Sequence, residues 1–539
     1  DKDGCTPLFV ACSSGREGCV RVMLDAAANM NARTKTKAAP LQGFELFVSM
    51  LSGMPNQSGD HSLDDWTPMH VACCNGHAGC VRMLVEAGAN TEVAIKSDGH
   101  TPLHVACQND HEACVRALVE GGAKKEAKTE SGATPLFIAC QEGYEGCARI
   151  LLRAGAKKDA ADHAGWTPLF AACRENNVAC VRALLEAGAN KEMATHEDAT
   201  PLFIASQQGH VECVNMLLRA GANKNAANQL HATPLMAACR GRHMACVRAL
   251  LAAGADKDAP DFRGATPLYM ACDIGFEECV HVLLAAGAKT EGKTSDVGCT
   301  PLHMAAYAGH AGIVRALLAA GANKEATDRA NWTPLLSASN KGDEACVRAL
   351  LSAGANVEAV SADGARPLHF ACLGGHTASA SALLAAGANV DVVDKFGKTP
   401  VHTACEHGRT ACMRMLVKAG AKLEIVNDQG STVLLTACKM GVEAYVRMLL
   451  AAGANTEATV GPHLLTPLHV ACEHGHPACV ALLLKHGANA AAVSKTGVTP
   501  LKLAYSKSRP ICVRLLLDHG AHRSAEVHSS AALLDNAWL

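Results

Sequence analysis

The sequence predicts an all-α solenoid of about fifteen helix-turn-helix units plus one degenerate unit, and three observations predict it. Thr-Pro recurs at Thr6, Thr67, Thr101, Thr134, Thr167, Thr200, Thr233, Thr266, Thr300, Thr333, Thr399, Thr466 and Thr499, with Arg366-Pro367 and Thr432-Val433 filling the gaps. From Thr67 on the spacing is 33 residues, stretched to 34 only before Thr101, Thr300 and Thr466. Glycines recur at further fixed phases of the same period. A strict period in this range is the signature of stacked supersecondary units, each too small to bury its apolar face alone.

Each unit follows in order from that frame. Thr is a good N-cap because its hydroxyl takes an orphan amide, and Pro suits the first helical position because its φ is preset. The first helix stops at a Gly nine residues after Thr, as at Gly76, Gly143, Gly209, Gly275 and Gly309, which suits a left-handed terminus. A second helix follows, for example Cys180-Val-Arg-Ala-Leu-Leu-Glu, and ends at a Gly in fourteen copies, Gly88 through Gly520, with Ala27 in the first. Two residues before Thr stands Gly in ten copies, and Asp65, Asp198, His231 and Asn331 in four others. Those types tolerate positive φ best after Gly, so the turn there is left-handed. Leu464 breaks the pattern beside Gly461-Pro462, and a rebuilt turn is expected there.

The strings Thr101-Pro-Leu-His-Val-Ala, Thr300-Pro-Leu-His-Met-Ala and Thr466-Pro-Leu-His-Val-Ala resemble the ankyrin signature at its 33-residue period. The resemblance covers nearly the whole chain. It implies L-shaped repeats, a concave face lined by first helices and turn tips, and partner binding as the role. The organisation expected is a first repeat at 1–33, N-terminally cut; a degenerate repeat or plain insertion at 34–63; fourteen contiguous repeats at 64–523; and a tail at 524–539. At about 8–10 Å per helix layer the array would be a curved rod on the order of 120–160 Å long.

Composition excludes several classes. Lys+Arg number 49 against 51 Asp+Glu, a net charge of -2, so no excess of cations is present to neutralise phosphates and no nucleic-acid partner is expected. The best apolar run, Phe44 to Met54, is broken by Glu45, Ser49 and Ser52, too short to span a bilayer. A soluble, monomeric protein without a membrane partner is expected, cytoplasmic or nuclear. The chain opens at Asp1 with neither Met nor a charged-then-apolar leader, as a cut in a longer chain would.

Of the 26 Cys, 23 occupy two phases, six and thirteen residues after Thr, and there a free thiol acts as a small buried hydrophobe. Ser206, Ala306, Ser339, Ile313 and Ser379 at those phases show that packing is what the position needs, in keeping with a reducing compartment. His104, Cys107, His111 and Cys114, like His469, Cys472, His476 and Cys479, have zinc-like spacing. The same phases hold Phe137 and Tyr144, or Phe170 and Asn177, so no structural metal and no cofactor are expected. The resemblance gives the first His to a turn hydrogen bond and the second to the interhelix turn. No phosphate loop, G-x-S-x-G or H-E-x-x-H occurs, so the chain is read as no enzyme.

What the frame leaves free is the partner face: the residue just before Thr and the residues closing the first helix. The latter include Glu142, Arg174, Arg240, Asp273 and Tyr307, of mixed sign, which favours a folded or peptide protein partner over a polyanion. Trp66, Trp166 and Trp332 share the phase before Thr, where other copies have Ala, so the ring is not needed to build the turn. Trp is enriched among interface hot spots, and Trp166, with Arg174, Glu175 and Arg182 in its copy, is the best candidate anchor; packing on a neighbouring tip is the rival role. The function expected is a non-catalytic protein-protein scaffold or adaptor. The alternative is the substrate-recognition arm of a larger enzyme or ubiquitin-ligase component.

Overall fold

In the computed structural model residues 5–34, 65–459, 461 and 463–521 are described. Among them run thirty α-helices in fifteen pairs and no β-strand. The degenerate repeat expected at 34–63 and the tail at 524–539 lie almost wholly outside the described residues.

Local chemistry builds each pair as the sequence dictates. Thr134 is extended, its hydroxyl accepts the Phe137 amide at 3.3 Å, and Pro135–Glu142 winds from there. Left-handed Gly143, φ 89°, ends that helix, and Glu145–Arg153 follows at once. The Gly at this turn also makes room for the next repeat: a Cβ on Gly76 would sit 2.8 Å from Nδ1 of His111.

Among the described residues the turn two residues before Thr is left-handed in every repeat, with φ of 73° at Asp65, 59° at Asp198, 56° at His231 and 58° at Asn331. Leu464 lies beside a rebuilt segment, since Gly461 has a positive φ of 67° that no other described repeat shows five residues before Thr. Leu464 itself takes the same left-handed conformation, φ 52°, at the steric cost of a branched side chain there. Its side chain is 47% exposed, so little packing offsets the strain. Leu464→Gly should therefore raise stability by about 1 kcal/mol, read from the urea midpoint; a destabilised variant would show that the Leu contacts outweigh the strain.

The described chain divides into two compact units between Phe262 and Arg263, seven helix pairs in the first and eight in the second. Within a unit first helices pack on first helices, such as Pro168–Arg174 against Pro201–Gln208, and second on second, such as Glu112–Glu120 against Glu145–Arg153. The core repeats with them: Leu103, Ala106, Cys107, Cys114, Val115 and Leu118 are all buried.

The two Cys phases meet across repeat boundaries. The thiol of Cys140 hydrogen-bonds that of Cys180 in the next repeat, and Cys173 pairs likewise with Cys213, and Cys372 with Cys412. All 23 are buried except Cys19, which corrects the uniform expectation: its phase packs on the first helix of the repeat before, as Cys180 does on Cys140, and no such helix precedes it among the described residues. Ser339 and Ser379 occupy these two phases in consecutive repeats, fully buried and without a hydrogen-bond partner. A buried hydroxyl without a partner costs its desolvation, so Ser339→Ala and Ser379→Ala should each stabilise by about 1 kcal/mol. Ala306 already occupies the first of these phases one repeat earlier. Destabilisation on chemical denaturation would show that the hydroxyls are satisfied by water.

Candidate functional site

Histidine three residues after the cap is built into the repeat. His104 Nδ1 accepts from the Thr101 amide at 3.1 Å, and Nε2 donates to the Ala133 carbonyl of the next repeat at 3.2 Å. An amide can only donate and a carbonyl only accept, so the ring is neutral with its proton on Nε2. His70, His303, His402 and His469 repeat the arrangement, and His369 does so against the Arg366 amide. Burial drives these rings below their ordinary range, His70 and His104 to about 4. With both nitrogens committed, His104 has no lone pair for a metal. Among the described residues no three His, Cys, Asp or Glu gather as ligands.

The second His acts between repeats and not only within its turn. Nε2 of His111 reaches the Cys74 carbonyl at 2.8 Å and Nε2 of His210 the Arg174 carbonyl at 3.0 Å, tying each interhelix turn to the end of the preceding repeat's first helix. Hydrogen bonds from Cys12, Cys173 and Cys372 lower Cys80, Cys213 and Cys412, the last to about 7, but burial pushes most of the other thiols up, Cys114 to about 12 and Cys107 well above its ordinary range. Thiols so raised are protonated and poor nucleophiles. The repeated His and Cys are thus spent on the frame.

The free positions lie elsewhere. Glu142, Arg174, Arg240, Asp273 and Tyr307 are all exposed at the ends of first helices. Trp166 is half-buried at its tip, where its amide donates to Asp162 Oδ1 at 2.8 Å and its carbonyl accepts the Asp162 amide at 3.0 Å. Its indole lies 5.3 Å from the Phe170 ring, and the Arg174 guanidinium stacks over it at 4.5 Å. Glu175 stands 3.6 Å from Arg174 Nε, which completes an aromatic-cation-anion patch in one repeat. Arg182 is not part of that patch, since it belongs to the second helix, Val178–Glu186.

The other two Trp are placed differently. Trp332 packs on Phe370 of the following repeat at 4.5 Å, and its carbonyl accepts from His303. Trp66 lies 6.1 Å from His70, and its backbone pairs with Thr34. Both rings pack against the frame, and among the described residues neither has a guanidinium stacked on it as Trp166 does.

A geometric rule missing from the sequence reading joins the two free phases. The tip residue touches the residue eight positions on: Trp166 meets Arg174, and Lys398 forms a 2.7 Å ion pair with Glu406. Helix ends also meet across repeats, Tyr307 under Lys341 Nζ at 6.0 Å and Glu473 with Lys507 at 3.7 Å. The signal was available as the constant eight-residue offset between two variable phases. Each repeat can therefore present a different pair on the same scaffold. No helix among the described residues is long and apolar enough to cross a membrane.

Comparison with known proteins places this geometry. The family profile "Ankyrin repeats (3 copies)" matches successive windows, 36–129, 89–162, 121–195, 202–294, 258–328, 302–394, 368–460 and 457–526, and "Ankyrin repeat" matches 3–35. Among curated proteins, "Transient receptor potential cation channel subfamily A member 1" of Homo sapiens is 33% identical over 98 residues, 16% of this chain and 9% of that protein. "E3 ubiquitin-protein ligase XBAT32" of Arabidopsis thaliana is 31% identical over 18% of this chain and 19% of its own length. "Ankyrin repeat and SOCS box protein 3" of Bos taurus is 29% identical over 17% and 18%. The chain thus spans less than a fifth of each of these relatives. The crystal structure of the human ASB11 ankyrin repeat domain aligns with 31% identity and a TM-score of 0.37, over 42% of this chain and all of that one.

Proposed function

Because the chain belongs to the ankyrin repeat family, we propose that it is a non-catalytic scaffold or adaptor, monomeric and cytoplasmic, that binds protein partners through turn tips and first-helix ends. One observation carries this reading: the repeated His and Cys are consumed by the frame, while the tip and helix-end pairs vary from repeat to repeat. Trp166 with Arg174 and Glu175 is the candidate anchor in the first unit, and Tyr307 with Lys341 its counterpart in the second. The near-zero net charge supports protein over nucleic acid as partner.

A second reading takes the chain as the substrate-recognition arm of a ubiquitin-ligase component, favoured by the names of two relatives, an E3 ubiquitin-protein ligase and a SOCS box protein. Both readings use the same face. Capture of a partner by the full chain, followed by charge reversal, tests it. Arg240→Glu on a first-helix end should weaken the complex, and Arg219→Glu on a second helix should not. Loss of the complex only with the second-helix variant would move the interface elsewhere.

A further inference from the structure

In the second unit the side chains of the finger that precedes a first helix alternate between buried and exposed. Ala359 is buried, Val360 exposed and Ser361 buried; Val392 is buried and Val393 exposed; Val426 is exposed and Asn427 buried. Val360, Val393 and Val426 stand six residues before consecutive first-helix caps and are 46%, 45% and 49% exposed. Val493 holds the same phase two repeats on, and Phe396, 51% exposed, lies three residues after Val393 on the same finger.

The finger does not need Val. In the first unit that phase holds Lys128, Ala161, Ala194, Ala227 and Pro260. The hairpin closes identically there: Asp162 donates to the Trp166 carbonyl at 3.0 Å, as Asp394 does to that of Lys398 at 3.0 Å. The valines are therefore surplus to folding, and together they form an apolar row.

The spacing of the row selects its occupant. Each finger bonds to the next through its backbone, Ala362 to Ala330 at 2.9 Å, Lys395 to Asp363 at 3.1 Å and Asp428 to Phe396 at 2.9 Å. Two chains per hairpin at about 4.8 Å each place equivalent side chains about 9.6 Å apart. A polyproline II helix, with three residues per turn at 3.1 Å, presents one face about every 9.3 Å. A β-strand presents one about every 6.6 Å and misses successive rungs. An α-helix repeats a face about every 10.5 Å and drifts about 1 Å per rung.

The three valines expose on the order of 200 Å². That is well short of the roughly 800 Å² per partner of a stable protein complex, so it suits a peptide and not a second copy of this chain. On the Val393 rung the carbonyl accepts from Arg366 Nη1 at 3.3 Å, so there the side chain is what is left to recognise a partner. A proline segment, lacking amides, forfeits nothing there.

We propose that the row Val360, Val393 and Val426 binds a polyproline II segment of a partner protein, an apolar side chain at every third residue seating on each rung. This rests on the scaffold reading and names the partner class for the second unit. The test uses the full chain and three labelled peptides in fluorescence anisotropy: a Leu-Pro-Pro repeat, a Leu-Pro repeat, and a helical peptide with Leu every seventh residue. The Leu-Pro-Pro peptide should bind saturably and most tightly. Val393→Asp and Val426→Asp should each lower its affinity at least about tenfold. Val393→Ala, which Ala161 shows the fold accepts, should lower it less, with an unchanged circular dichroism spectrum. Equal or tighter binding of either other peptide, no binding of Leu-Pro-Pro at about 1 mM, or unchanged affinity in Val393→Asp would overturn the proposal. If those failures occur while a captured partner still depends on Arg240, the valine row falls and the scaffold reading stands.

Discussion

Lowering the pH from 7 towards 4 should open the array selectively at repeats that carry His three residues after the cap. Burial and two backbone hydrogen bonds hold those rings neutral, and His70 and His104 lie at about 4 in the fold against an ordinary 6.5. A folded-state pKa below the unfolded one means the unfolded chain binds the proton first. The stability is therefore complete above about pH 6.5 and is lost progressively as pH falls through the interval down to about 4. At 1.36 kcal/mol per pH unit, the loss by pH 4 is on the order of 3 kcal/mol for each of these two residues. His303, His369, His402 and His469 move in the same direction, burial again the main cause. Phe137, Phe170, Phe203 and Met236 hold this phase in the intervening repeats and titrate nothing. Because repeat arrays open locally, hydrogen exchange corrected for intrinsic rate should lose protection first over 68–74, 102–108, 400–406 and 467–474. The segments 135–142 and 201–208 should keep it. Even loss over both sets would remove the histidines as the cause.

Trp166→Ala should lower affinity for a captured partner by about 2 kcal/mol or more while moving the urea midpoint little. The indole is held at the tip by backbone bonds that any residue at this position makes, as Ala133 and Ala199 do with Thr129 and Thr195. What the ring adds is contact with Phe170, a stacked guanidinium and an exposed remainder. Arg174→Ala should reproduce part of the loss, since the cation both covers the ring and presents its charge. Trp332→Ala is the contrast: its ring packs on Phe370 of the next repeat, so stability should fall instead. A Trp166→Ala variant that loses stability and keeps full affinity would make this ring structural too.

The features legible in the sequence are those that backbone chemistry enforces in every copy. A Thr cap, a Pro at the first helical position and a left-handed residue each answer a local constraint, so Asp65 and Asn331 could be assigned positive φ from residue type alone. Leu464 could not, because nothing in leucine announces a strained backbone that its neighbours impose. Contacts between repeats were equally hidden. That Cys140 meets Cys180, or that His111 reaches back to Cys74, depends on stacking geometry and not on any local string. The candidate face was half legible: its two phases stood out as variable at a constant eight-residue offset, but that the pair touches depends on how the tip folds back over the helix end. Its Trp rings differ in what they touch, Trp332 the half-buried Phe370 ring of the following repeat and Trp166 the exposed Arg174 guanidinium as well as Phe170.

The most direct measure of the central claim is a footprint of the partner complex. Covalent surface labelling of the full chain, free and bound, should show protection concentrated on turn tips and first-helix ends, at Trp166, Arg174, Arg240, Asp273 or Tyr307. The exposed residues of second helices, such as Arg182 and Arg219, should label equally in both states. Protection confined to the second helices, with the tips and first-helix ends unchanged, would contradict the account.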